Sequence, residues 1–160
     1  MNHTTTAATM AAVFVVLYTA HQVGDHWVQT SCQAAEKGKP GWTGRWACSK
    51  HVISLTATKV ALLVPVALLL DLQVTVGGSA LALALDACSH WWADRRVTLA
   101  RLAKLVDKTE FYELGTYAHP HHPTDAKGLY APTLGTGAYA LDQSWHMLWL
   151  LVAAVVAALV

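Results

Sequence analysis

Charge is what this chain has least of. Only 13% of its 160 residues are Asp, Glu, Lys or Arg, while 54% are hydrophobic, and ordinary soluble domains carry about a quarter charged residues. A chain of this length cannot bury several fully apolar runs and still present a polar surface to water, which excludes the usual soluble domain. Cysteine is also scarce. Cys32, Cys48 and Cys88 form no C-x-x-C pair, so neither a disulfide framework nor a thiolate zinc knuckle is expected, and small buried or interfacial hydrophobes are the better reading. No Walker loop, nucleophile elbow or dinucleotide fingerprint is present, and Gly77-Gly78 reads as a turn. A net charge of +1 offers no basis for a nucleic-acid partner. The opening MNHTTTAATM lacks Lys and Arg, so the first apolar run is expected to be a retained helix rather than a cleaved leader.

What is present is a set of four apolar runs, at about 7–27, 52–70, 74–92 and 144–160, each near the ~20 residues that a helix needs to cross hydrocarbon. The expected fold is all-α, an integral membrane four-helix bundle in a single domain. All eleven Lys and Arg fall between residues 37 and 127, flanking the second and third runs on one side except for Lys59, which lies just inside the second. By the positive-inside rule those two basic connections are cytoplasmic and both termini lie outside, in a multi-pass protein of the bacterial plasma membrane. Seven tryptophans, Trp27, Trp42, Trp46, Trp91, Trp92, Trp145 and Trp149, gather toward the same side as a headgroup belt.

Up-down threading brings the ionisable residues to one level. His21 and Asp25 end the first run, His51 begins the second, His90 and Asp94 end the third, and Asp142 and His146 begin the fourth. Residues four apart share a helix face, so HQVGD, HWWAD and DQSWH each present an Asp beside a His. Asp86 and Lys59 extend the stripes one or two turns deeper.

Between the third and fourth runs, residues 94–114 place Val97, Leu102, Leu105 and Val106 against Arg95, Arg96, Arg101, Lys104 and Lys108. That pattern predicts an additional amphipathic helix lying in the interface on anionic lipid, with a soluble cap on the bundle as the alternative. Residues 115–140, rich in Gly and Pro, read as a loop. Its His119, His121 and His122 are better explained as solvated than as metal ligands.

These motifs resemble a bacterial family of small polytopic membrane proteins known as domain of unknown function 3307. Its pattern is A-H-x-x-G-D-x-x-x-Q, a histidine opening the second helix, H-x-x-x-D, then D-Q-x-x-H. Here these are AHQVGDHWVQ at 20–29, His51, HWWAD at 90–94 and DQSWH at 142–146. The likeness spans nearly the whole chain and implies the architecture and the choice of site residues, without an established activity. Members often carry a second histidine where this chain has Leu55, and Asp86 is not part of the pattern.

Imidazoles beside carboxylates suit a divalent metal such as zinc, manganese or iron. His21, Asp25, His51, His90, Asp94, Asp142 and His146 are the candidate ligands, more than one tetrahedral site needs. Either two ions bind, or some of the seven orient the others. With an open coordination position the site would be a metal-dependent hydrolase of a lipid-linked or phosphorylated substrate. Asp25, Asp94 and Asp142 are then the candidate catalytic carboxylates, Gln29 and Gln143 the water-orienting amides, and the Arg95 and Arg96 pair the phosphate holder. Interhelical hydrogen bonding alone is the plainer account, but a carboxylate withdrawn from water costs on the order of 3 kcal/mol, which makes seven such residues a poor way to join helices. Metal-ion or proton transport is a second class, with Lys59 and Asp86 continuing the path. Almost purely apolar outer halves argue against a through route within one chain, so transport would call for a homo-oligomer. A non-catalytic regulator docking a partner through the basic segment is the third.

Overall fold

The computed structural model describes residues 3–116 and 135–160. Helix α1 spans His3–Val23 and runs into a π turn at Gly24–Val28, followed by a short α2 at Ser31–Glu36. Helices α3 (Gly41–Leu69) and α4 (Val76–Asp94) come next, then α5 (Val97–Leu105), α6 (Thr109–Glu113) and α7 (Gly137–Leu159). No strand occurs among the described residues, so the fold is all-α. Most of the expected loop at 115–140, with His119, His121 and His122, lies outside the described residues.

Local chemistry sets the helix starts. Thr30 and Gln33 form a reciprocal capping box on α2, Thr75 accepts from Gly78 N–H at 2.8 Å on α4, and Thr136 accepts from Tyr139 N–H at 3.2 Å on α7. Gly77 and Gly78 therefore open a helix rather than forming a turn. Helix α3 starts at Gly41, well before the expected residue 52, and its 29 residues give about 44 Å of length, beyond the ~30 Å of hydrocarbon. Its first turns carry Trp42, Arg45, Trp46 and Lys50, a polar and aromatic stretch that hydropathy alone places outside a span. Pro65 sits inside α3 without ending it.

Helices α1, α3, α4 and α7 form a ring, each packed on two neighbours in the order α1–α3–α4–α7, with the most extensive contact between α4 and α7. Val13, Leu17, Leu63, Ala82, Leu150, Ala153, Ala154 and Ala157 fill its centre. The alanines of α7 let backbones approach closely, as small residues do in membrane bundles. Large apolar side chains point outward too: Ile53, Val64, Leu68, Leu69, Leu81, Leu148 and Leu159 are all exposed. In water that surface would be a liability. Three helices, over His3–Val28, Gly41–Leu69 and Gly137–Leu159, are long and apolar enough to cross a membrane. Helix α4 has the length, 19 residues, but Asp86, His90 and Asp94 dilute its hydropathy.

The amphipathic segment expected over 94–114 is not one helix. Asp94 belongs to α4, and the chain breaks where Arg96 and Asp107 adopt positive φ, 57° and 56°. At Asp107 the break is a Schellman motif, with Lys108 N–H donating to Ala103 O at 2.7 Å and Asp107 N–H to Lys104 O at 3.3 Å. Its inner face is also different. Leu99 and Ala103 are buried, whereas Val97, Leu105 and Val106 stand exposed. The tryptophan belt is partial as well: Trp27, Trp42 and Trp46 are exposed, while Trp92 and Trp145 stack on each other at 4.7 Å.

Candidate metal centre

Five elements deliver the site, α1, the π turn, α3, α4 and α7. His21 closes α1, and the π turn carries Asp25, its i to i+5 bond running from Gln29 N–H to Gly24 O at 2.8 Å. Gly24 makes room for Leu55 of α3, whose Cδ1 would have to shift if a Cβ stood there. The turn thus lies flush on α3, and Asp25 reaches His51 across the gap. His90 and Asp94 come from the last turns of α4, and His146 from the third turn of α7. His21, His51, His90, His146 and Asp94 are buried.

The donor atoms crowd together around two imidazoles. His51 Nε2 lies 3.1 Å from His90 Nε2, 3.2 Å from Asp25 Oδ1 and 3.3 Å from Asp94 Oδ2, and His90 Nε2 lies 3.1 Å from Asp94 Oδ2. His146 Nε2 stands 3.9 Å from Asp94 Oδ1 and 3.4 Å from Asp142 Oδ1. Two trios, Asp25–His51–His90 and His90–Asp94–His146, each bring one donor atom per residue within 4.8 Å of the others. Donors bound to zinc at about 2.0–2.2 Å in a tetrahedron sit about 3.3–3.6 Å apart, close to the spacing seen here. The buried His/Asp groups are geometrically able to hold a metal ion.

Hydrogen bonding does not account for the crowding. A neutral imidazole has one N–H, yet His51 Nε2 faces two carboxylate oxygens and a second Nε2. Asp25 Oδ1, Asp94 Oδ2 and His146 Nε2 are buried with no hydrogen-bond partner of adequate geometry, and so are both ring nitrogens of His21. Orphaned polar atoms at such density are rare in native interiors. The outer nitrogens His51 Nδ1 and His90 Nδ1 also lack partners, so no outer hydrogen bond orients these rings. The His90 ring stacks on His146 instead, at 4.0 Å and 18°, while His51 meets His90 tilted at 52°.

Other expected residues are placed differently. Asp142 sits at the rim, its side chain 24% exposed, with Gln143 Nε2 3.5 Å from its Oδ2. Gln29 Nε2 is buried without a partner. Lys59 and Asp86 form a closed, buried ion pair deeper in the bundle. Arg95 and Arg96 are not a phosphate clamp. Arg95 donates to Lys37 O at 2.6 Å and Lys39 O at 2.5 Å, and Arg96 to Ala34 O at 3.2 Å, because the end of α2 presents carbonyls that no helical N–H can take.

Two site residues escaped the sequence. Lys37 lies in a loop where its charge marks topology, and only the fold shows its Nζ 2.8 Å from Asp94 Oδ1. Tyr112 of α6 is half-buried near Arg96 and Asp142, and burial raises its phenol above the ordinary value, keeping it a neutral donor. Nothing in the local sequence marks Tyr112 as lying near the site. Comparison with family models, with curated proteins and with solved structures finds no match to this chain.

Proposed function

We propose that this is a four-span membrane protein whose His/Asp centre binds a divalent ion and hydrolyses a lipid-linked substrate at headgroup level. The ion is zinc, manganese or iron, in keeping with a mixed imidazole and carboxylate donor set. The observation that carries the reading is the convergence of Asp25, His51, His90, Asp94 and His146, donated by four helices, with more buried acceptor atoms than the imidazole N–H groups facing them can serve at once. A bound ion would supply a water acidified toward neutral pH. Around it, Asp142 is the group to receive the proton, since it alone of the carboxylates is both rim-exposed and in contact with a cluster imidazole, His146. Its neighbour Gln143 is the polar group available to orient a substrate there. With Arg95 and Arg96 committed to carbonyls, a phosphate would have to be held by the ion itself.

Transport is less well supported. Below the cluster Lys59 and Asp86 neutralise each other, and Val13, Leu17, Leu63 and Leu150 fill the centre of the ring. A regulator without chemistry would not need the orphaned donors. The deciding experiment is elemental analysis of detergent-purified protein beside a His90→Ala variant. Wild type should hold at least one divalent ion per chain and the variant much less, and equal metal content in the two would overturn the site. Given metal, Asp142→Asn should retain the ion while hydrolysis of lipid esters and lipid phosphates in mixed micelles falls about 10²–10⁴-fold, the usual worth of a general base. Metal-dependent ion flux in liposomes without hydrolysis would replace the enzyme with a transporter.

A further inference from the structure

Lys37 is the one buried cation of the first basic connection; Lys39, Arg45 and Lys50 nearby are exposed. Its ammonium meets Asp94 Oδ1 at 2.8 Å, and Asp94 is itself only 2% exposed. The backbone that carries it is tied down at several points. The capping box of Thr30 and Gln33 fixes the start of α2, Arg96 takes Ala34 O, and Arg95 takes both Lys37 O and Lys39 O. Gly44 has no side chain where a Cβ would strike Lys39 O, so the strap also seats against α3. Lys37 is therefore held in place, not draped over the site.

We propose that Lys37 is a built-in cation that keeps the centre mononuclear. It occupies Asp94 Oδ1, leaves Oδ2 to the ion shared with His51 and His90, and fills the charge position of a second ion among Asp94, His146 and Asp142. The proposal rests on the metal-binding reading and goes beyond it. Two observations carry it. First, the carboxylate is split: Oδ1 faces Lys37, while Oδ2 faces His51 and His90 at 3.3 and 3.1 Å. Second, charge balances only one way in a buried place. The carboxylates of Asp25, Asp94 and Asp142 are cancelled by one ammonium and one divalent ion. A second divalent ion would leave the centre two charges positive. Without Lys37, Oδ1 is free, and a second ion brings the centre to within one charge of neutral, with His146 and Asp142 3.4 Å apart to receive it.

Lys37 acts through Asp94 and is a positioning residue. The test is zinc stoichiometry in the full-length chain purified in detergent, loaded with excess zinc and desalted. Wild type and Lys37→Arg should each retain one zinc per chain, and Lys37→Met two. Two zinc ions in wild type, or one in a folded Lys37→Met, overturns the proposal. Should Lys37→Met fail to fold, wild type loaded with manganese decides alone: an isolated-ion electron paramagnetic resonance signal is expected, and an exchange-coupled pair, as two ions about 3.5–4 Å apart would give, overturns it. Wild type that holds no metal at all fails the parent reading, which is a separate and recognisable result.

Discussion

Lys59 is fully buried, its ammonium bound to Asp86 across the α3–α4 contact. Removing one partner of such a pair strands a charge and costs about 3–5 kcal/mol, whereas replacing both by apolar residues is often neutral. Lys59→Met and Asp86→Leu should each lower stability by about that much, and the double variant by much less than the sum. Unfolding of the purified proteins in detergent measures this, and strictly additive losses would show that the pair is not coupled. Gly24 makes a second residue-scale case. Gly24→Ala forces a Cβ into Leu55 and should destabilise by about 1–3 kcal/mol, with Leu55→Ala in the same chain recovering part of the loss. At this scale the sequence was informative wherever helical spacing sufficed. His21 with Asp25, His90 with Asp94 and Asp142 with His146 all meet as their four-residue spacing requires. Lys37 was invisible because its partner Asp94 is on another helix, and Arg95 and Arg96 misled because a paired cation in sequence does not reveal which carbonyls it will meet.

Among the elements, α5 carries the clearest stored cost. Its Schellman motif places Asp107 at φ 56°, a position that glycine fills without strain. Asp107→Gly should therefore raise stability by up to about 1 kcal/mol. A melting temperature at or below the wild-type value would contradict that. The α2 strap offers an independent test. Arg95→Gln removes two bonds to the strap backbone, so amide exchange over 31–39 should accelerate while the centres of α3 and α4 keep their protection. Unchanged exchange there would mean that Arg95 does not restrain α2. The four long helices were readable because apolar run length is a strong signal, but their ends were not. α3 gained its first turns from Trp42, Arg45, Trp46 and Lys50, residues that hydropathy scores as loop although nothing prevents them from being helical. The π turn was unreadable for a related reason: one extra residue in a turn leaves the local pattern almost unchanged.

For the whole molecule, the outward face of Ile53, Leu68, Leu69, Leu148 and Leu159 predicts that the protein sediments with membranes and resists alkaline carbonate, and release into the supernatant would refute the membrane reading. The ring of α1, α3, α4 and α7 also explains why the site was foreseeable at all: alternating helices must return polar ends to the same level whatever the details of packing. The Lys59–Asp86 pair has a further consequence, for how the protein is made. In the four-span reading, a lone α3 carries an unpaired lysine through lipid, and α4, the least apolar of the four, carries its own aspartate. Each ionised residue at mid-membrane costs about 2.5–3.5 kcal/mol alone. Joined by only a few residues, the two helices are suited to enter the bilayer as a hairpin, the earlier one holding the countercharge that lets the later one stay. A defect at Lys59 would then surface during biosynthesis, as chains with α4 left outside the membrane.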